Sequence, residues 1–378
     1  MTALRPLIAD VDAELREFPL LTDDGLTLGL TRFRRGPSDR SVVLIHGLTT
    51  STDMFVMPEH DNLVESLLDA GWGDVWSIDW RGSFRLPYNT DARGFNVDDV
   101  ALYDLPAALA AVRRHNGGRP VAVIAHCVGA LALSMTIAAK LAGPLAGVVA
   151  NSTFLTPNLP ELSRLKLSLL PRVLERMLPE GYLPMDLAQV GLLSRRAALF
   201  AFAAAGSSCK DPTCQMISFA WGSSLGLAPG LGPGASGRAG ESALYEHRNL
   251  HPVTHARLRE LFGPAPLSFY AHLRKMVSER AVVRHDLADA RYDRLPRSAL
   301  DGLADWDTPL LLVDGMLNRV WTGSMALCHG YLADRHPQID ATLIEIPGYG
   351  HQDTFIGRAA ALDVYPRMIS WLDERLPP

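Results

Sequence analysis

Apolar and polar positions change period several times along the chain, and each change marks an element. Residues 17–35 alternate around Asp23-Asp24-Gly25, the pattern of a hairpin. Residues 41–45 form a short buried strand running into His46-Gly47, and 74–79 form another after a helix over 62–70. Residues 97–114 have helical spacing with acids early and arginines late, followed by a strand over 121–126 and one more over 145–152. The alternation lapses over 153–305 and resumes with strands at 309–313 and 343–346, closing on an amphipathic helix over 359–376. Strand and helix in alternation imply an α/β protein with a mostly parallel central sheet flanked by helices. The boundaries predict a core of residues 1–152 and 306–378 and an inserted helical cap, or lid, over 153–305. Within that cap, 162–178 and 185–204 read as apolar helices, 222–240 as a Gly/Pro/Ser-rich loop, and 245–277 as helical again.

The most informative change of period lies in VAVIAHCVGALAL, residues 121–133. An apolar β run stops at Cys127 and restarts as a helix, so the thiol stands on a sharp strand-to-helix turn. This is the G-x-S-x-G nucleophile elbow with Ala125 for the first glycine, Cys127 for serine and Gly129 retained.

Composition narrows the setting. A chain of 378 residues with 48% hydrophobic content can bury a large core, and a net charge of -5 gives no general attraction to nucleic acid or anionic membranes. A small neutral or acyl substrate fits that balance. Four cysteines in so long a chain, no secretory pattern at the start and no apolar run long enough to span a bilayer predict a soluble, reduced, cytoplasmic protein. The spacing says nothing of oligomeric state.

His351, in PGYGHQDTF directly after the last strand, is the candidate general base for Cys127, and the pair would form a thiolate nucleophile. The N–H groups of Leu48, after His46-Gly47, and of Val128 are the candidate oxyanion hole. The third member is open. Asn318, three residues after Gly315, stands where an orienting carboxylate is expected and is favoured; Asp314 is its rival, with Asp340 and Asp307 weaker. Asp79 and Arg81 read as charges that tie loops together, and His126 as a packing residue under the elbow. Cys209 and Cys214 are spaced C-x4-C without a second ligand pair, so a disulfide or plain packing is expected there and no metal site. His247, His251, His255 and His272 lie at mixed spacing and are likewise not read as ligands. The one G-x-G-x-x-G, residues 232–237, follows no strand, and no cofactor is implied.

With HGL at His46, DWRG at Asp79, AHCVG at Ala125, the G-x-x-N segment at Gly315 and GYGH at Gly348, the chain resembles the α/β-hydrolase superfamily. PEHDNLVESLLDAGWGDVWSIDWRG, AHCVGA, LYEHRNLHPVTHARLRELFG and PGYGHQDTF look like the hydrolase partners of bacterial cholesterol-oxidase-type oxidoreductases. A more distant likeness is to polyhydroxyalkanoate synthases, which also use cysteine in a lipase-like box, and to dienelactone hydrolases. The resemblance implies an α/β-hydrolase fold with a large helical cap. Cysteine as nucleophile implies an acyl-thioester enzyme that water, alcohols, amines or thiols can capture, so acyltransferase or thioesterase activity on an apolar ester or thioester is the expectation. The thioester donor could be free or bound to a carrier protein. A simple carboxylic-ester hydrolase is the nearest alternative; a ligand-binding pseudoenzyme and a lyase or cyclase on the same scaffold remain as readings of other classes.

Overall fold

The computed structural model describes residues 5–7, 11–86, 94–178, 181–186, 199, 201, 203–204, 209–222 and 243–376. Eight strands form one sheet: β1 (Glu14–Leu21), β2 (Thr27–Arg34), β3 (Ser41–Ile45), β4 (Asp74–Asp79), β5 (Val121–His126), β6 (Leu145–Asn151), β7 (Leu310–Gly315) and β8 (Ala341–Ile346). Their order is β1-β2-β4-β3-β5-β6-β7-β8. β1 and β2 run antiparallel to each other and β2 antiparallel to β4, while every pairing from β4 to β8 is parallel. β3, β4, β5 and β7 are buried along their whole length, as expected of parallel strands covered on both faces. The edge strand β1 keeps most of its residues exposed.

Helices cover the faces: α1 (Leu63–Asp69), α2 (Leu105–His115) and α3 (Cys127–Ala138) between strands of the first half, α4 (Glu161–Met177), α5 (Pro212–Trp221) and α6 (Leu267–Glu279) between β6 and β7, then α7 (Ser324–Arg335) and α8 (Tyr365–Arg375). Asn62 starts α1 by accepting from the Glu65 N–H, satisfying one of the donors a helix start leaves free. Between β6 and β7 the described residues add no strand to the main sheet; they form a two-residue antiparallel pair, Tyr182–Leu183 with Ala265–Pro266, and the isolated antiparallel bridges Val283–Ser298 and Leu250–Gly357. α4 and α6 pack on one another there.

Several sequence expectations need adjustment. The patterning over 245–277 resolves into Pro252–Ala256, Leu258–Leu261 and α6, because Pro252, Pro264 and Pro266 interrupt the backbone hydrogen bonding. The closing helix breaks at Val364, just before Pro366, into Ala360–Asp363 and α8. Most of the expected 185–204 helix and 222–240 loop, with the 232–237 glycine run, lies outside the described residues. Among the described residues no helix is long and apolar enough to cross a membrane.

Candidate active site

β5 ends at His126 and α3 begins at Cys127 with φ 54°. For a residue with a side chain this left-handed geometry costs about 1–3 kcal/mol and persists only where the surroundings impose it. Gly129 is part of what imposes it. A Cβ there would lie 2.4 Å from the His46 carbonyl oxygen, so only glycine lets the first turn of α3 seat against the end of β3. The seat brings the backbone N–H groups of Leu48 and Val128 onto the Cys127 sulfur, and the indole N–H of Trp321 donates to the same atom over 3.4 Å.

A ring nitrogen of His351 lies within 4.8 Å of that sulfur, as does one of His126. The two imidazoles are 4.6 Å apart between ring centres but differ in their bonding. His126 is held at both nitrogens, Nδ1 on Asn151 Oδ1 at 2.7 Å and Nε2 against the Gln352 side-chain amide at 2.9 Å. Burial pushes its pKa down to about 4, so the ring is neutral and offers one donor and one acceptor. Asn151 Oδ1 also accepts from Ser152, the Gln352 atom facing Nε2 is its Oε1, and the Gln352 NH2 donates to Met54 Sδ at 3.6 Å. His126 is thereby a fixed strut, and His351 is the imidazole left to act on the thiol.

The resting charge state differs from the thiolate expected from sequence. Burial raises the Cys127 thiol to about 11, against the lowering effect of its three N–H partners. Burial, with His126 beside it, pushes His351 well below its ordinary value. Both effects disfavour charge, so the resting pair is thiol and neutral imidazole, not an ion pair.

The orienting residue also differs. Asn318 does not hold His351: its Oδ1 accepts from the N–H groups of Val320 and Trp321, and its Nδ2 donates to Asp314 Oδ1 at 2.8 Å and to the Ser152 carbonyl at 3.5 Å. Asp314 is thereby engaged by Asn318 and, buried, has its pKa raised to about 7. His351 Nδ1 has no hydrogen-bond partner among the described residues. The physical reason is local: the turn after β7 leaves two backbone donors facing inward, and the Asn318 carbonyl is the acceptor that satisfies them. Asp340 instead pairs with Arg375, and Asp307 accepts from Thr308. Asp79 and Arg81 brace loops. Asp79 accepts from Thr52, Ser83 and Arg85, and Arg81 joins Asp104 to Asp24.

A family profile described as alpha/beta hydrolase fold matches residues 40–201. The structure superposes on a monoacylglycerol lipase from Paleococcus ferrophilus with a TM-score of 0.54 at 16% identity, covering 93% of this chain and 100% of that one. A carboxyl esterase from Bacillus coagulans gives 0.54 at 13%, covering 96% and 99%. The chain has the α/β-hydrolase fold. In sequence it is 32% identical to a tear acid lipase-like protein of Mesocricetus auratus over 130 residues, which are 30% of this chain and 32% of that protein. With a gastric triacylglycerol lipase of Mus musculus it shares 27% identity over 181 residues, 43% of this chain and 45% of the lipase. The chain thus spans about a third to under half the length of these curated relatives.

In this α/β-hydrolase fold the segment between β6 and β7 encloses an apolar cavity of about 40 Å3 lined by residues of α4, α5 and α6 together with Val320 and Trp321. Trp321 lines that cavity and touches the Cys127 sulfur, so the indole is the partition between them.

Two features escaped the sequence reading. Trp321 has no motif of its own; only its distance from Gly315 could have suggested it. The second is a cluster: Cys209 and Cys214, which form no disulfide, converge with His247 and His255, all four ligand atoms lying within 4.8 Å of one another. C-x4-C and H-x7-H were visible, but neither is a familiar zinc spacing, and the reading of no metal site there rested on that.

Proposed function

We propose that this chain cleaves apolar carboxylic esters or thioesters through an acyl-thioester at Cys127. The observation that carries the reading is the convergence of the Leu48 and Val128 N–H groups on a thiol held at positive φ at the start of α3, with one unpinned imidazole beside it. As the sulfur attacks the acyl carbonyl, His351 takes its proton, the carbonyl oxygen becomes an oxyanion within reach of the two N–H groups, and the proton returns to the leaving alcohol or thiol. Because thiol and imidazole are both neutral at rest, the proton moves with the attack and no thiolate is stored beforehand.

Residues 153–305 serve in this proposal as the cap that selects the acyl group. Its apolar lining and the mammalian lipases among the relatives favour a lipid-like ester. The likeness of the elbow to cysteine-box polyhydroxyalkanoate synthases, and of the cap to hydrolases beside cholesterol-oxidase-type enzymes, favours capture of the acyl group by an organic acceptor alongside water.

The test is intact-protein mass spectrometry after rapid quench with p-nitrophenyl esters of graded chain length and the matching acyl thioesters. An acyl adduct on the parent chain that disappears in Cys127→Ala, together with turnover, is expected. Turnover retained in Cys127→Ala would sink the mechanism; parent chain without adduct or turnover on any ester or thioester would favour a non-catalytic ligand-binding role.

A further inference from the structure

The geometry points to a structural zinc site of Cys2His2 type in the segment between β6 and β7, formed by Cys209, Cys214, His247 and His255. Cys209 Sγ lies 3.5 Å from His255 Nε2, and Cys214 Sγ 3.4 Å from His247 Nε2. A zinc ion bound tetrahedrally at about 2.3 Å to sulfur and about 2.05 Å to nitrogen has S···N edges of about 3.6 Å, so two edges of the polyhedron already stand at nearly their bonded length. Soft thiolates with imidazoles suit zinc and disfavour magnesium or calcium. Binding displaces the two thiol protons to solvent and leaves the histidines neutral, for a net neutral centre.

Position explains what the ion would do. Cys214 lies in α5, whose last turn, with Ala220 and Trp221, lines the apolar cavity. His247 lies between Leu244, whose carbonyl accepts from the Gln352 N–H, and Asn249, whose side chain donates to the Gly348 carbonyl and to Asp353. One ion would tie the cavity wall to the stretch that clamps the His351 loop. No atom of the site belongs to the acyl-transfer machinery, so its existence does not depend on the proposed reaction.

The experiment is metal analysis of the full chain, purified without chelator from zinc-supplemented cells, with cobalt(II) exchange as a second readout. One zinc per chain is expected, with a thiolate-to-cobalt charge-transfer band after exchange. Cys209→Ser and His255→Gln should each lose the band and most of the zinc; His251→Asn, adjacent but outside the cluster, should keep both. Cys127→Ser should also keep both, which separates this site from the Cys127, His126 and His351 grouping. Should Cys209→Ser fail to fold, a strong chelator applied to the parent chain should lower its melting temperature by more than about 5 °C, reversed by added zinc. A parent chain folded without zinc, or zinc that survives in both Cys209→Ser and His255→Gln, overturns the assignment.

Discussion

The indole N–H of Trp321 donates to the sulfur of Cys127 over 3.4 Å, from a side chain that also walls the apolar cavity. The bond favours the charged form of the sulfur and opposes the burial that raises the thiol. A hydrogen bond of this class is worth about 0.5–1.5 kcal/mol, or about 0.4–1 pH unit. In Trp321→Phe the pH midpoint of Cys127 alkylation should therefore move upward by that amount, even if the smaller ring admits reagent faster at high pH. A midpoint unmoved by the substitution means the indole does not bond the sulfur in solution.

Alkylation of the parent chain should itself report the neutral pair. With the thiol at about 11, thiolate at pH 7 is about one part in ten thousand, and the iodoacetamide rate should climb about tenfold per pH unit without levelling near neutrality. Mass mapping to Cys127 separates this signal from Cys209 and Cys214. A plateau below pH 8 would show that His351 holds a stored thiolate after all.

Gly315 sets the distance between the end of β7 and the loop of His351. A Cβ at this position would stand 2.1 Å from the Gly350 carbonyl oxygen and 2.5 Å from that of Tyr349, so the loop must retreat. A displacement of about 1 Å at a reacting group costs about a hundredfold in rate. Gly315→Ala should lose at least that much kcat/KM on any ester the parent accepts, while Gly330→Ala on α7, which meets nothing within 4 Å, should not. Equal activity in the two variants would contradict the placement of His351.

The succession of core strands along the chain and the elbow at Cys127 were legible because each rests on local periodicity or on a short motif that folds in place, and the structure brings His351, Leu48 and Val128 to that thiol. Charge states were not. The thiol rises and His351 falls through burial, and His126, far from His351 in sequence, adds to the fall, none of which spacing displays. Asn318 was misread for a related reason: its position suggested a partner for an imidazole, but the two backbone donors of its own turn, at Val320 and Trp321, lie nearer. The Cys/His cluster was illegible because Cys214 and His247 approach across 33 positions of sequence.

The exchange Asn318→Asp separates the two readings of that turn. If Asn318 belongs to the Asp314 pair, the new carboxylate still accepts from the Val320 and Trp321 N–H groups but faces Asp314 Oδ1 where a 2.8 Å donor bond had been. Two buried carboxylates at that distance cannot both ionise, and Asp314, already raised to about 7 by burial, rises further. A folded pKa raised above the unfolded one gives stability that is intact below the unfolded value and lost as pH rises through the folded value. Asn318→Asp should consequently melt close to the parent at pH 4–5 and fall progressively below it between there and pH 8, with no gain in turnover. Asn318→Ala, which strands two backbone donors, should melt lower at every pH, by about 1–3 kcal/mol for each donor left unpaired. Turnover enhanced in Asn318→Asp, with melting unchanged at pH 8, would instead mean that position 318 faces His351 and that the carboxylate restores an orienting acid to the site.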